Sequence, residues 1–212
     1  MNPFIYAKRV HRRSIEPEPE TDYRKYKSAL KAEFGSQCVY CRLPDGWGGS
    51  FGVDHYQPKS LFPAAAADYR NLFYACNGCN SRKGNFWPAP ADLKAKRVVL
   101  NPCDHVMSAH VNYVGAEVLP RTKTGSFFSD HLLLNDTRSV AFRETMQRAI
   151  ALNRKEWHQT RADLGAVTCE LRRTQAAARR QELFDYREDL KNQLGNVESD
   201  LARLCATAAD RD

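Results

Sequence analysis

An α+β fold is what the sequence predicts, with a small cysteine-stapled core followed by a C-terminal helical annex. Three observations carry this. Four of the seven cysteines fall into two C-x₂-C pairs, Cys38/Cys41 and Cys76/Cys79, 34 residues apart. The stretch between them is broken by Gly and Pro and has only short periodic runs. From Val140 to Ala209 there is no proline, and apolar residues recur every seven positions.

Residues 1–20 read as a basic arm and linker. Lys8, Arg9, His11, Arg12 and Arg13 cluster, and the alternating Pro and Glu of residues 16–20 favour an extended chain. A helix follows. Thr21 or Asp22 caps it, Tyr23, Tyr26, Leu30 and Phe34 recur at helical spacing, and Gly35 ends it. Residues 21–100 form the core, and 101–137 a connector. Within the connector Val111, Tyr113, Gly115 and Val118 read as a hairpin with a Gly turn. The annex spans 138–212. Ile150, Trp157, Leu164 and Leu171 form one heptad series, and Leu183, Leu190, Val197 and Leu204 a second, with Tyr186, Leu194 and Leu201 between them. Two long helices folded as an antiparallel hairpin, or continued as a coiled coil, account for both series.

The 212 residues carry a net charge of +7, and 42% are hydrophobic. No run reaches the 18 or so apolar residues of a membrane span. The first seven residues are too short for a signal sequence, so a cytoplasmic protein with reduced cysteines is expected. Charge is uneven. Residues 21–100 hold 12 Lys and Arg against 6 Asp and Glu, and residues 101–137 hold 2 against 4. The basic block coincides with the cysteine pairs, which suits a polyanionic partner.

Two C-x₂-C knuckles supply four thiolates, the donor set of a closed structural zinc site. Such a site leaves no position for substrate and would hold together a segment too poor in apolar residues to fold by burial alone. Cys103, Cys169 and Cys205 are scattered, and Cys169 and Cys205 read as small buried hydrophobes. Cys103, His105 and His110 lack a convincing fourth ligand for a second site. His11, His105, His110, His131 and His158 have no partners comparable to a catalytic or metal-binding set. Trp47 and Phe51, in a Gly-rich loop (Gly46, Gly48, Gly49, Gly52), read as a small core under the cysteines.

Inside the cysteine bracket lies Gly52-Val53-Asp54-His55-Tyr56-Gln57-Pro58-Lys59-Ser60. Asn71-Leu72-Phe73-Tyr74-Ala75-Cys76 leads into the second knuckle, and Asn80-Ser81-Arg82-Lys83-Gly84 follows it. An Asp beside a His, with an Asn after the last Cys, combines oxygen ligands for a hard cation with a base. The pattern C-x₂-C…D-H-x₂-P-K-S…N-L-x₃-C-x₂-C-N-x₂-K resembles the HNH endonucleases and their ββα-metal fold. The resemblance implies that His55 is the general base and Asp54 a ligand of a catalytic Mg²⁺ or Mn²⁺. It makes Asn71 the central Asn that holds the His55 loop through backbone hydrogen bonds. Asn80 stands where a final His often stands, which makes this an H-N-N variant with an oxygen ligand retained. Lys83, one helical turn past Asn80, is a candidate phosphate contact, as are Lys59, Arg82 and Arg70.

The layout beyond the motif also resembles the HNH subunits of anti-phage systems of the Septu type. It runs through Leu100-Asn101-Pro102-Cys103-Asp104, the hairpin, Leu132-Leu133-Leu134-Asn135, and a helix carrying Arg138 and Arg143. That resemblance implies an ATPase partner, docked through the annex. The expected activity is metal-dependent hydrolysis of phosphodiester bonds in DNA, with RNA an alternative substrate. The competing reading is a non-catalytic zinc-ribbon module that binds nucleic acid or serves as an adaptor. The intact Asp54, His55 and Asn80 set separates the two.

Overall fold

The computed structural model describes residues 3–47 and 49–205. They form two compact units. Thr145–Cys205 is the second, and the residues up to Glu144 make up the first.

In the first unit Asp22 caps a 3₁₀ turn, Tyr23–Tyr26, that runs on into helix α1, Lys27–Glu33. Gly35, at φ +62°, ends the helix in the left-handed region that glycine tolerates best. Strand β1 (Phe51–His55) pairs antiparallel with β2 (Leu72–Cys76), with Asp54 opposite Phe73 and His55 opposite Leu72. Helix α2 (Asn77–Lys83) follows β2 directly and is capped at its start by the Cys76 sulfur, which accepts from the Cys79 amide. Short helices α3 (Pro90–Lys94) and α4 (Met107–His110) lead to the hairpin β3 (Val111–Val114) and β4 (Glu117–Pro120), turned at Gly115. Helix α5 (Lys123–His131) packs so close to the end of α4 that a Cβ on Gly125 would collide with the His110 carbonyl. One apolar core runs through this unit and includes Leu30, Tyr40, Leu72, Phe73, Leu100, Val111, Phe128 and Leu134.

Helix α6 spans Thr137–Arg173 and α7 spans Ala177–Cys205. In the second unit the two run antiparallel. Trp157 Nε1 donates to Glu198, Gln193 to Glu156, and Arg179 to Glu170. Val167, Leu183 and Leu190 are buried together, with Leu164 and Leu171 against them. No described helix is long and apolar enough to cross a membrane.

Five local expectations change. Residues 3–20 are not a free arm, because Phe4 and Tyr6 are buried and the buried Glu33 accepts from His11 and from the Ser14 and Ile15 amides. Phe51 lies in a strand and stacks on Tyr74, not in a loop. Cys169 is exposed and Cys205 half-buried, so neither is a core residue. Tyr186, placed between heptad positions, is 49% exposed. The proposed annex start at 138 also falls inside the first unit, where Arg143 is buried and donates to the Ala116 and Leu134 carbonyls. Gly48 and residues 206–212 lie outside the described residues.

Candidate active site and metal centre

The cysteine cluster is built by the two knuckles. The first follows α1, where Cys38 accepts from the Arg42 amide and Val39 donates to Tyr74 of β2. The second joins β2 to α2. The four sulfurs lie within 4.8 Å of one another, with Cys41 and Cys76 3.7 Å apart. A tetrahedron with metal–sulfur bonds of about 2.3 Å has edges of about 3.8 Å, so the donor set fits a thiophilic dication. Hydrogen bonds from Cys38, Cys41 and Cys79 hold the Cys76 thiol far below its ordinary range, and the same crowding pushes Cys41 and Cys79 up. Four thiolates this close repel one another, and a bound dication is what would allow all four sulfurs to ionise. Among the described residues no other group of three or more His, Cys, Asp and Glu side chains gathers its ligand atoms this closely, and that includes Cys103, His105 and His110.

The ββα unit carries the second centre. Strand β1 ends on Asp54 and His55, and α2 brings Asn80 to the same pocket, about 240 Å³ in volume. Tyr23, Pro58, Lys59 and Asn85 complete its walls. His55 is only 8% exposed. Its Nε2 lies 2.9 Å from the Ala66 carbonyl. A carbonyl only accepts, so Nε2 carries the proton and Nδ1 keeps a lone pair in the neutral ring. Burial lowers the His55 pKa, helped by the nearby Lys59 and Lys83 charges and opposed by the Ala66 carbonyl and Asp54. The imidazole is therefore neutral near pH 7. The Tyr23 ring packs against it in a T-shaped arrangement, 4.5 Å between centroids.

The loop that presents the Ala66 carbonyl is held by Asn71. Its Oδ1 accepts from the Gln57 amide at 2.7 Å, and its Nδ2 donates to the Gln57 and Ala65 carbonyls. Asn71 is itself clamped from outside the motif, because Arg13 donates to the carbonyls of Arg70 and Leu72 on either side of it. The Arg13 guanidinium sits among the rings of Phe34, Tyr69 and Phe73, about 5 Å from each centroid.

Asp54 is almost wholly buried. Its Oδ2 accepts from the Tyr40 hydroxyl and its Oδ1 from Lys83 Nζ at 3.1 Å. A carboxylate offers about four lone-pair sites, so these two bonds leave capacity for an ion on the pocket side. With the Asn80 amide in the same wall, the residues present fit a hard divalent cation.

The candidate phosphate contacts separate. Lys59 is exposed at the pocket rim, with Nζ 3.4 Å from the Tyr23 hydroxyl. Lys83 points inward instead, is 2% exposed, and bonds Asp54 and the His55 carbonyl. As placed here it does not reach a surface phosphate, because a buried ammonium seeks the nearest carboxylate. Arg82 turns toward the α5–α6 connection, onto the Leu132 carbonyl and Asp136. Arg70 is exposed but lies beside a different groove of about 760 Å³, lined by Arg13, Tyr56, Asn71 and Trp87 and with no histidine in its wall. Sequence reasoning missed Tyr40, Tyr23, Arg13 and the Ala66 carbonyl. Of these only Tyr40 carried a local signal, as a large polar residue inside a knuckle.

Residues 38–86 match the family model described as HNH endonuclease. The chain is also 30% identical over 117 residues to the Septu protein PtuB of Bacillus thuringiensis. The match covers 55% of this chain and 43% of that protein's length. No solved structure matches.

Proposed function

We propose that this chain is a metal-dependent endonuclease that hydrolyses phosphodiester bonds, with DNA as its substrate. The observation that carries the reading is His55. It is a neutral, buried imidazole whose Nε2 is fixed on the Ala66 carbonyl and whose Nδ1 is left as the base, in the same pocket as Asp54 and Asn80.

In this reading Nδ1 of His55 takes a proton from the attacking water, and the resulting imidazolium is stabilised by the Ala66 carbonyl and by Asp54. Asn71 keeps the loop in register so that the ring does not turn. Asp54 and Asn80 would hold Mg²⁺ or Mn²⁺, which supplies charge neutralisation at the phosphate and at the leaving 3′ oxygen. Lys59 at the rim pairs with an adjoining phosphate. The products are a 5′-phosphate and a 3′-hydroxyl. Zinc fills the cysteine cluster and serves the fold. The similarity to a Septu protein supports a role in anti-phage defence inside the cell, with an ATPase subunit docked on the C-terminal helices.

The test is nicking of a plasmid with Mg²⁺ or Mn²⁺ against EDTA, for the native chain and for His55→Ala, with an RNA substrate in parallel. Loss of a general base costs on the order of 10²–10⁴ in rate. Cleavage by His55→Ala at the native rate, or undiminished cleavage in EDTA, would overturn the proposal. Preferential cleavage of RNA would correct the substrate.

A further inference from the structure

Lys83 raises a question that the proposed chemistry does not answer. It is a lysine at 2% exposure whose ammonium reaches both Asp54 Oδ1, at 3.1 Å, and the His55 carbonyl, at 2.6 Å. Both partners belong to the consecutive residues that the catalytic reading uses. The arrangement has two sides. Asp54 lines the pocket together with Asn80, whereas Lys83 and Tyr40, which bond its two carboxylate oxygens, do not. An ion entering from the pocket therefore meets a carboxylate whose charge is already matched by a fixed cation. Interactions between charges a few ångströms apart are strong inside a protein, and like charges raise each other's energy. Tyr40 holds the same carboxylate without contributing charge, so positioning and charge balance are supplied by different residues.

We propose that Lys83 is an internal counter-cation of Asp54, which lowers the affinity of the carboxylate for a free divalent ion while Tyr40 holds it in place. This rests on the reading of Asp54 as an ion ligand given above. Competition is through charge and not through occupancy of the pocket, since Lys83 does not line it. Lysine suits the task because its charge is compact and sits on a flexible stem that reaches through the core.

The experiment is a Mn²⁺ binding titration followed by electron paramagnetic resonance, without nucleic acid, on zinc-loaded full-length protein. Thiolates favour zinc and leave the harder Mn²⁺ to oxygen ligands. Lys83→Met is expected to bind Mn²⁺ more tightly, on the order of tenfold. Lys83→Arg retains the charge and is expected to stay near the native value. Equal or weaker binding by Lys83→Met would overturn the proposal. Asp54→Asn separates the two ideas. If it leaves Mn²⁺ binding unchanged, Asp54 is not a ligand and the site reading fails first. If it abolishes binding while Lys83→Met changes nothing, only the counter-cation role fails. Should Lys83→Met not fold, the native protein still decides. The ¹⁵N signal of the buried Lys83 ammonium is expected to move as Mg²⁺ is added, and a signal unchanged at saturating Mg²⁺ would refute the proposal.

Discussion

At the scale of single residues, the protonation state of His55 is the most consequential feature of the pocket. Burial and the neighbouring lysine charges lower its pKa below the ordinary 6.5, against the pull of the Ala66 carbonyl and Asp54. A general base acts in its neutral form, so the neutral fraction, and with it the cleavage rate, rises with pH up to that pKa and then levels. The acid limb of the rate profile is therefore expected to have its midpoint below pH 6.5. Lys59→Ala removes one lowering charge and is expected to move that midpoint upward, which a pH series at saturating metal measures. Movement in the opposite direction would mean that the titrating group is not His55. Asp54, His55, Asn71 and Asn80 were legible in the sequence because they sit in a short ordered motif. The Ala66 carbonyl was not, since any residue supplies a carbonyl and only the folded loop selects this one. The inward turn of Lys83 was equally hidden. Nothing local distinguishes a lysine that faces solvent from one that finds a buried carboxylate 29 residues earlier in the chain.

At the scale of elements, each cysteine knuckle also delivers a residue to Asp54. The first knuckle carries Tyr40, whose hydroxyl donates to the carboxylate. The second opens α2, which carries Asn80 and Lys83. The cluster and the pocket are thus mechanically joined but chemically separate, and substitutions should divide accordingly. Cys38→Ser is expected to lose zinc and soluble protein together, because metal binding at such a site contributes directly to folding. Asp54→Asn is expected to keep about one zinc per chain and to lose cleavage. Elemental analysis beside a nicking assay checks both, and zinc lost from Asp54→Asn but retained in Cys38→Ser would reverse the site map. The strands and α2 were expected from the resemblance to the HNH endonucleases and their ββα-metal fold, not from the cysteine spacing itself. The N-terminal strip was misread because composition alone makes residues 8–20 look solvated. The buried Glu33 carboxylate changes that, as it takes the Ser14 and Ile15 amides and His11. Burial raises the Glu33 pKa, but those bonds more than offset it and the group stays below its ordinary value.

At the scale of the whole molecule, the question is what the paired helices add. The first unit has its own core and contains every residue assigned to the cysteine cluster and the pocket. The second has a separate apolar stripe, Val167, Leu183 and Leu190 with Leu164 and Leu171. Heptad periodicity made this pairing legible, since 3.5-residue repeats on two segments joined by a short link need a common seam. The boundary was less legible. Helix α6 is continuous from Thr137, and no sequence signal marks where its first turns stop belonging to the first unit. Arg143 shows why it matters, because a chain cut at residue 138 loses a buried guanidinium that bonds the Ala116 and Leu134 carbonyls. Removing such a group leaves buried carbonyls unpaired, at a cost of about 1–3 kcal/mol each. The informative truncation therefore ends after Glu144. If the helical pair serves a partner subunit, that shortened chain is expected to stay soluble, keep its zinc and nick DNA, while losing co-elution with the ATPase subunit of a Septu-type system. Size-exclusion chromatography, elemental analysis and the nicking assay read the three properties independently. A shortened chain that aggregates and sheds zinc would assign the helices to the fold of the first unit. One that keeps both activity and co-elution would place the docking surface on the first unit.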